Sequence, residues 1–263
     1  MKAHKIAVFL TIEGGHTIDD DMRVLRMYYQ LGVRSMTLTH SANNNWADSS
    51  TDKPEHNGLT DFGKEVVREM NRLGMLVDVS HVSDKAFYDA LGVTTKPVIV
   101  SHSSMRALSD VPRNVTDEML WAMAKNGGVI GINFGEGFVN PSDAEALRSD
   151  IKTETNAPSL TGRALDDYAA EDVRKLFGTR LKVVATVEDV ADHIDHAVKI
   201  AGIDHVGIGS DFDGISGPPN GLDDVSKMPA LIAVLLKRGY AKRDLKKILG
   251  ENYLRVIREV TGK

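Results

Sequence analysis

The sequence predicts an α/β protein of the TIM-like (β/α)8 barrel class, with about six of the eight strands present in its 263 residues. The first observation is an alternation of short apolar runs with helical patterns, which is typical of parallel α/β architecture. The second is that each apolar run ends in a polar residue able to bind a metal or a substrate. These residues are Glu13, His40, His81, His102, Asn133 and Asp211. Functional side chains at the carboxyl ends of successive strands are how such a barrel builds an active site.

The composition of the chain argues against several classes of function. The formal net charge of −5, without a basic stripe, argues against nucleic-acid binding. The chain has no cysteine, so any metal must be held by histidines and carboxylates. The apolar stretch 6–12 is too short for a signal-peptide core or a membrane span. We therefore expect no membrane segment and, by default, a cytoplasmic protein.

The first half of the chain predicts four strands and four helices. The strands are expected at 5–12, 33–39, 75–79 and 98–101, and the helices at 19–31, 60–73, 83–91 and 116–126. Thr60, Ser83 and Thr116 each stand where a side-chain oxygen can accept a free backbone N–H of a helix start. Gly32 and Gly74 follow the ends of the first two helices, as helix-terminating glycines do.

The second half predicts two further strands and four helices. The strands are expected at 129–132 and 205–209, and the helices at 186–201, 227–238, 241–249 and 251–261. Between them, residues 135–180 show no clear strand and carry many charges, with Pro141 and Pro158. We expect an irregular excursion from a single domain that covers residues 1–263. The polar loop 40–57 is unusually long, and long loops in compact domains are often functional.

Three of the strand-end residues form a metal-ligand pattern. His81 in DVSHVS and His102 in IVSHSS each follow an apolar run and a serine. If the two runs are neighbouring strands, both imidazoles reach the same end of the sheet. Two neutral imidazoles and a carboxylate are a common ligand set of zinc hydrolases, with one position open for water. Glu13, at the end of the first strand and before two glycines, can supply that carboxylate.

Other residues fit substrate or proton chemistry, each with a plainer alternative. Asp211 in GIGSDFDG is a candidate general base beside a metal site, whereas turn formation by Asp and Gly suits Asp213 better. Arg113 could clamp a carboxylate with two hydrogen bonds, although a single arginine is usually an ordinary surface residue. His40 could hydrogen-bond a substrate oxygen. The pair 193 and 196, one helical turn apart, fits a helix packed on the sheet better than a metal site.

Five segments together resemble the membrane (renal) dipeptidase family of zinc peptidases. They are IEGGH at 12–16, LGVRSMTLTHSANNNWADSS at 31–50, GLTDFGKEVVREMNRLGMLVDVSHVS at 58–83, VIVSHSSMRALSDVPRNVTDEML at 98–120 and HVGIGSDFDG at 205–214. The resemblance covers nearly the whole chain and is weakest across 136–180. It implies a (β/α)8 barrel with two zinc ions, and hydrolysis of the peptide bond of small dipeptides by a metal-activated hydroxide.

The resemblance also implies roles for individual residues. Glu13 resembles the carboxylate that bridges both metals, and His81 and His102 resemble the other protein ligands of one metal. His40 and Arg113 resemble the residues that hold the substrate. Asp211 resembles the catalytic acid/base and also contacts the substrate.

One family feature is missing from this sequence. The other metal of the family uses a His-x-Asp pair on the first barrel strand, well upstream of the EGG motif. Only twelve residues precede Glu13, and the one His-x-Asp, His193–Asp195, lies on a predicted helix. We therefore expect a barrel N-terminally truncated to about six strands, either as a fragment of a longer protein or as a natural truncation. One zinc site would be complete and the other would hold only Glu13. Exposed sheet edges would lower stability or lead to pairing with a second copy, a homo-oligomer.

Three functions remain open from the sequence. The first is a zinc dipeptidase, impaired by the missing ligands. The second is a mononuclear metal amidohydrolase acting on another small amide or a lactone, since a fold does not fix the substrate. The third is a non-catalytic remnant that binds a metal or a peptide. Turnover with added zinc separates the two enzymes from the third.

Overall fold

The computed structural model describes residues 8–145, 183–215 and 217–262. Within these residues, six parallel strands form one sheet in sequence order. The strands are β1 (Leu10–Glu13), β2 (Val33–Thr37), β3 (Leu76–Asp78), β4 (Ile99–Ser103), β5 (Val129–Ile132) and β6 (Val206–Ile208). The predicted α/β class and the predicted strand count are confirmed, and the sheet corresponds to consecutive strand–helix units of a TIM-like barrel.

Helices connect the strands along the sheet. They are α1 (Met22–Gln30), α2 (Asp61–Leu73), α3 (Asp84–Val93), α4 (Asp117–Lys125), α5 (Glu136–Val139), α6 (Val187–Ala201), α7 (Met228–Lys237), α8 (Lys242–Lys246) and α9 (Asn252–Thr261). The three predicted N-caps are confirmed: Thr60, Ser83 and Thr116 each accept a backbone N–H of the first turn. Thr186 forms a reciprocal capping box with Asp189 at the start of α6.

The two faces of the sheet are covered by different helices. Val100 and Ile130 belong to the large core that also contains buried residues of α2, α3, α4 and α6. Ile99 and Val129, one residue away on the same strands, point to the other face because strand side chains alternate. There they pack against Val256 of α9, in a second buried cluster. The sequence predicted helix α9 but not which face of the sheet it covers. In the structure, α9 shields this second face from water.

Among the described residues, the outer edge of β1 is apolar and unpaired. Within the described part of the chain, β1 is hydrogen-bonded only to β2, and β6 only to β5. Val8, Phe9 and Leu10 are all exposed beside this edge, as is Leu31 of the neighbouring helix end. The expected exposed edge is therefore present at β1. Self-association through it stays a prediction.

The predicted excursion at 135–180 lies mostly outside the described residues. Its described start contains the short helix α5, and Asp143 accepts N–H groups from Val184 and Ala185 where the chain is described again. No described helix has both the length and the apolar character needed to cross a lipid bilayer.

His193 is a structural histidine of the core. It lies on α6, 1% exposed. Its Nδ1 accepts the backbone N–H of Met105 at 2.9 Å, and its Nε2 donates to the carbonyl of Val139 at 3.1 Å. Both ring nitrogens are thus used by the backbone in one neutral tautomer. His196 instead hydrogen-bonds the Asp117 carboxylate at 2.7 Å, so this pair packs helices, as the sequence favoured.

We predict that Val256→Ala lowers the free energy of unfolding by about 2 kcal/mol, through lost apolar burial and the cavity left behind. Leu254→Ala is the matched control on the same helix, because Leu254 is 48% exposed. Its cost should stay within about 0.5 kcal/mol. Urea unfolding measures both, and equal losses would show that α9 does not seal the sheet.

Titration of His193 should make the protein less stable in acid. Burial lowers the pKa of His193 to about 4, below the value of about 6.5 expected in the unfolded chain. Between these values the unfolded chain binds the extra proton, so stability is full above about pH 6.5 and falls as the pH drops towards 4. The loss attributable to this group is about 3 kcal/mol. Unfolding measured from pH 7 to 4 should show a shallower slope for His193→Gln, and an unchanged slope would contradict this assignment.

Candidate metal centre

The carboxylate of Glu13 is presented by a tight turn at the end of β1. Gly14 has φ +99°, a conformation that favours glycine. A Cβ on Gly15 would lie 2.3 Å from the Trp46 ring and 2.5 Å from the carbonyl oxygen of Leu38. Both glycines of the EGG motif are therefore needed for the chain to turn here. The Glu13 side chain remains 45% exposed at the edge of the sheet.

Glu13, His81 and His102 converge on one point. Glu13 Oε1 lies 3.0 Å from His81 Nε2 and 2.9 Å from His102 Nε2, and the two Nε2 atoms are 2.9 Å apart. The two imidazole side chains are 10% and 12% exposed. His81 stands just beyond β3 with φ +65°, an unusual backbone conformation of the kind that clusters at functional sites. The structure thus brings together the three residues that the sequence singled out as metal ligands.

The protonation states suit cation binding. Burial acts to raise the pKa of Glu13, but the interactions of Glu13 with His102 and His81 outweigh it and place that pKa well below its usual range. Burial, together with the charge of Arg113, holds the pKa of His81 well below its usual value. Glu13 is therefore a carboxylate and His81 a neutral imidazole near neutral pH. These are the forms in which the two side chains bind metals.

The spacing of these atoms fits a small divalent ion. Zinc bonds of about 2.0–2.1 Å in a tetrahedral site place ligand atoms about 3.3 Å from one another. The three distances of 2.9–3.0 Å in this triangle are close to that value. One carboxylate and two imidazoles also leave a fourth position for water or substrate, as in catalytic zinc sites.

His40 extends the site. It lies three residues beyond β2, and its ring centroid is 4.7 Å from that of His81. Glu13, His40 and His81 form a group whose ligand atoms all lie within 4.8 Å of one another. His40 therefore stands where it can bind either a substrate or a metal. Ser49, from the long polar loop, donates to the His40 carbonyl at 2.6 Å and so ties that loop to the site.

Arg113 is a buried cation with neutral partners. It is 7% exposed and donates to Ser103 Oγ and to the carbonyl of His102, both at 3.0 Å. Among the described residues, no carboxylate lies within ion-pair distance of its guanidinium. Burial lowers the pKa of Arg113 to about 10, so it stays charged at neutral pH. A buried cation with no paired anion is suited to receive one from a substrate.

Asp211 is a partly buried carboxyl group that Asn133 orients. Asn133 donates to Asp211 Oδ2 at 3.1 Å, and the backbone N–H of Gly135 donates to the Asn133 oxygen and so fixes the direction of that amide. Asp211 has φ +58°. A Cβ on Gly214 would lie 2.4 Å from the Asp211 carboxylate, so a larger residue there would displace that carboxylate. Burial raises the pKa of Asp211, as expected for an acid/base group.

Two supporting residues were not identified from the sequence. The buried carboxylate of Asp78 accepts the hydroxyl of Ser101 at 2.5 Å, and Ser101 Oγ lies 2.7 Å from His102 Nδ1. Thr37 also donates to Asp78, at 2.7 Å. The only sequence signal was the repeated x-Ser-His motif after two apolar strands. Asn133 was noticed as a strand-end residue without a role.

The sequence of this chain is similar to that of known dipeptidases. Residues 1–262 match the family model of the membrane dipeptidases (peptidase family M19). A dipeptidase of Claviceps purpurea, tcpJ, is 41% identical over 260 residues, which are 98% of this chain and 52% of the relative. An uncharacterized dipeptidase of Schizosaccharomyces pombe is 41% identical over 96% of this chain and 52% of its own length. The chain spans about half the length of these curated relatives.

Solved structures agree with this result. The probable dipeptidase PvdM of Pseudomonas aeruginosa superposes with a TM-score of 0.83 at 32% identity, over 98% of this chain and 70% of that one. A metallo peptidase of Rhodobacter sphaeroides, liganded with a phosphinate mimic of the dipeptide L-Ala-D-Ala, gives 0.75 at 26% identity, over 96% of this chain and 63% of that one. The sequence, the fold and the strand-end ligands lead to one assignment. This chain belongs to the membrane dipeptidase family.

Proposed function

We propose that this chain carries a zinc-dependent site for hydrolysing the peptide bond of small dipeptides. The observation that supports it most is the triangle of Glu13 Oε1, His81 Nε2 and His102 Nε2, with sides of 2.9–3.0 Å. Membership of a metallopeptidase family implies dependence on a metal, and the donor set favours zinc as that metal. Because the curated relatives are about twice as long, the activity of this chain requires its own test.

The metal ligands and the substrate residues have separate tasks. A bound zinc ion would polarise a carbonyl and lower the pKa of water to about 7. Glu13 supplies negative charge, and the two imidazoles bind as neutral ligands. Arg113 binds an anionic group of the substrate, such as the C-terminal carboxylate of a dipeptide, in a water-poor environment where the interaction is strong.

Asp211 carries the proton. Its carboxylate, oriented by Asn133, accepts a proton from the attacking water and passes it to the amine that leaves. Burial raises the pKa of Asp211 and makes its carboxylate a stronger base than an exposed aspartate. Arg113 and Asp211 are close enough for their charges to influence each other. The substrate would therefore lie between a fixed cation and a proton acceptor.

The first expectation concerns metal content. Elemental analysis of the chain dialysed against trace zinc should give one zinc per chain, because the described residues supply one full ligand triangle. His102→Ala should lower the zinc affinity by more than about tenfold. His196→Ala is the matched control, since His196 hydrogen-bonds Asp117 outside the triangle. Two zinc ions in the unmodified chain, or equal retention by both variants, would contradict this stoichiometry or this ligand set.

The second expectation concerns turnover of an unblocked dipeptide. Asp211→Asn should lower kcat by about 10²–10⁴-fold, the usual contribution of a general acid/base. Asp213→Asn, in the same loop, is the matched control. It should leave kcat within about twofold, because Asp213 is a turn residue and asparagine forms the same kind of turn.

A substitution of Arg113 separates substrate binding from the chemical step. Arg113→Lys should raise KM more than it lowers kcat, because lysine keeps the charge but loses the planar fork. No zinc-dependent turnover by the unmodified chain would leave the non-catalytic metal-binding alternative standing. Turnover of an amide or lactone without turnover of dipeptides would favour the amidohydrolase.

A further inference from the structure

A buried carboxylate beneath the metal centre accepts two hydrogen bonds at each of its oxygens. Asp78, 3% exposed at the end of β3, accepts with Oδ1 the backbone N–H groups of Ser80 and Ser101, both at 3.0 Å. Its Oδ2 accepts the hydroxyls of Thr37 at 2.7 Å and of Ser101 at 2.5 Å. Four donors surround it, one from β2, two from β4 and one from the loop after β3, and none of these contacts reaches the metal triangle directly.

The Ser101 hydroxyl connects this carboxylate to a metal ligand. A serine hydroxyl has one proton to donate and two lone pairs that accept. The proton goes to Asp78, because a carboxylate only accepts. The remaining neighbours of Ser101 Oγ are His102 Nδ1 at 2.7 Å and the hydroxyl of Ser80 at 3.3 Å. Both must therefore donate to Ser101, so the proton of the neutral His102 ring lies on Nδ1.

The opposite nitrogen of the same ring faces the metal triangle. With its proton on Nδ1, the neutral ring of His102 carries a lone pair on Nε2, which points at Glu13 and His81. We propose that Asp78 and Ser101 are a positioning pair that holds His102 in the Nδ1–H tautomer and so keeps Nε2 available as a metal ligand. The inference rests on the metal centre proposed above and assigns two residues to it.

The pair acts on one histidine only. Among the described residues, Nδ1 of His81 is buried and has no hydrogen-bond partner. His81 instead has a backbone φ of +65°, and its ring packs against that of His40 at a centroid distance of 4.7 Å. The two imidazoles of the triangle are thus fixed by different means, so disruption of the Asp78–Ser101 pair should affect His102 selectively.

Asp78→Asn is the most informative variant, because it reverses the direction of the hydrogen bond between residue 78 and Ser101 Oγ. The two backbone N–H groups at Oδ1 hold the amide oxygen there, so the new NH2 group faces Ser101 Oγ. We expect the Ser101 hydroxyl, no longer able to donate to residue 78, to donate to its nearer neighbour, His102 Nδ1 at 2.7 Å, rather than to Ser80 Oγ at 3.3 Å. The ring proton of His102 then moves to Nε2, the nitrogen needed by the metal. Ser101→Ala removes the connection without reversing it. We expect zinc affinity to fall by about 10–100-fold in both variants, and further in Asp78→Asn.

The experiment uses the full chain labelled with ¹⁵N-histidine. Zinc affinity is measured by competition with a chromophoric chelator, and NMR reports which nitrogen of His102 carries the proton. The unmodified chain should show a protonated Nδ1 that exchanges slowly with water. Ser101→Ala should lose this slow exchange, and Asp78→Asn should show the proton on Nε2 before zinc is added. Affinities within threefold of the unmodified chain, or an unchanged His102 spectrum in both variants, would overturn the proposal.

Two further variants separate positioning from folding. Thr37→Val removes a hydroxyl from the same Asp78 oxygen but leaves Ser101 in place, so the tautomer should persist and zinc affinity should stay within threefold. Ser101→Thr retains the hydroxyl and should restore the spectrum that Ser101→Ala loses. If the unmodified chain binds no zinc, the proposed function fails, and the NMR spectrum of the same chain still decides the tautomer.

Discussion

The parallel register of the first strands is the constraint on which the metal centre depends. Glu13 pairs with Thr37, and Thr37 pairs with Asp78, in one row across β1, β2 and β3. This row brings a metal ligand on β1 level with the hydrogen bonds that support His102 on β4. Since side chains alternate along a strand, a slip of β1 by one residue would turn Glu13 to the opposite face. The two glycines that follow Glu13 then let the chain leave the row without displacing the carboxylate.

Much of this arrangement could be predicted from the sequence, because its signals are local. An apolar run followed by His81 or Asp211 marks a strand end, and a hydroxyl residue before a helical pattern, such as Thr60, marks a helix start. The roles of Asp78 and Ser101 could not be predicted, because they depend on which strands are neighbours and in what register. The same reason hid the position of α9, whose apolar side chains fit either face of a sheet.

His193 and His102 show why residue type alone does not identify a ligand. Both are largely buried, and each uses one ring nitrogen in a hydrogen bond that defines its tautomer. The second nitrogen of His193 donates to the carbonyl of Val139, which completes its bonding within the core. The second nitrogen of His102 faces a carboxylate and another imidazole, so its lone pair points to a position where a bound cation can be shared by all three groups. The environment of the second nitrogen therefore separates a structural histidine from a functional one.

The position of Glu13 on the outermost described strand has an energetic consequence for the whole domain. Among the described residues, β1 has a hydrogen-bonded neighbour on one side only, and the side chains of Leu10 and of the preceding Val8 and Phe9 gain little from burial. Strands of this kind open locally at a smaller free-energy cost than central strands. If a metal ion binds only when β1 is docked, its apparent affinity is reduced in proportion to the fraction of time that β1 is docked. Metal binding in turn stabilises the docked state. Any partner that covers this edge would thereby act as a distant activator of metal binding without touching the ion.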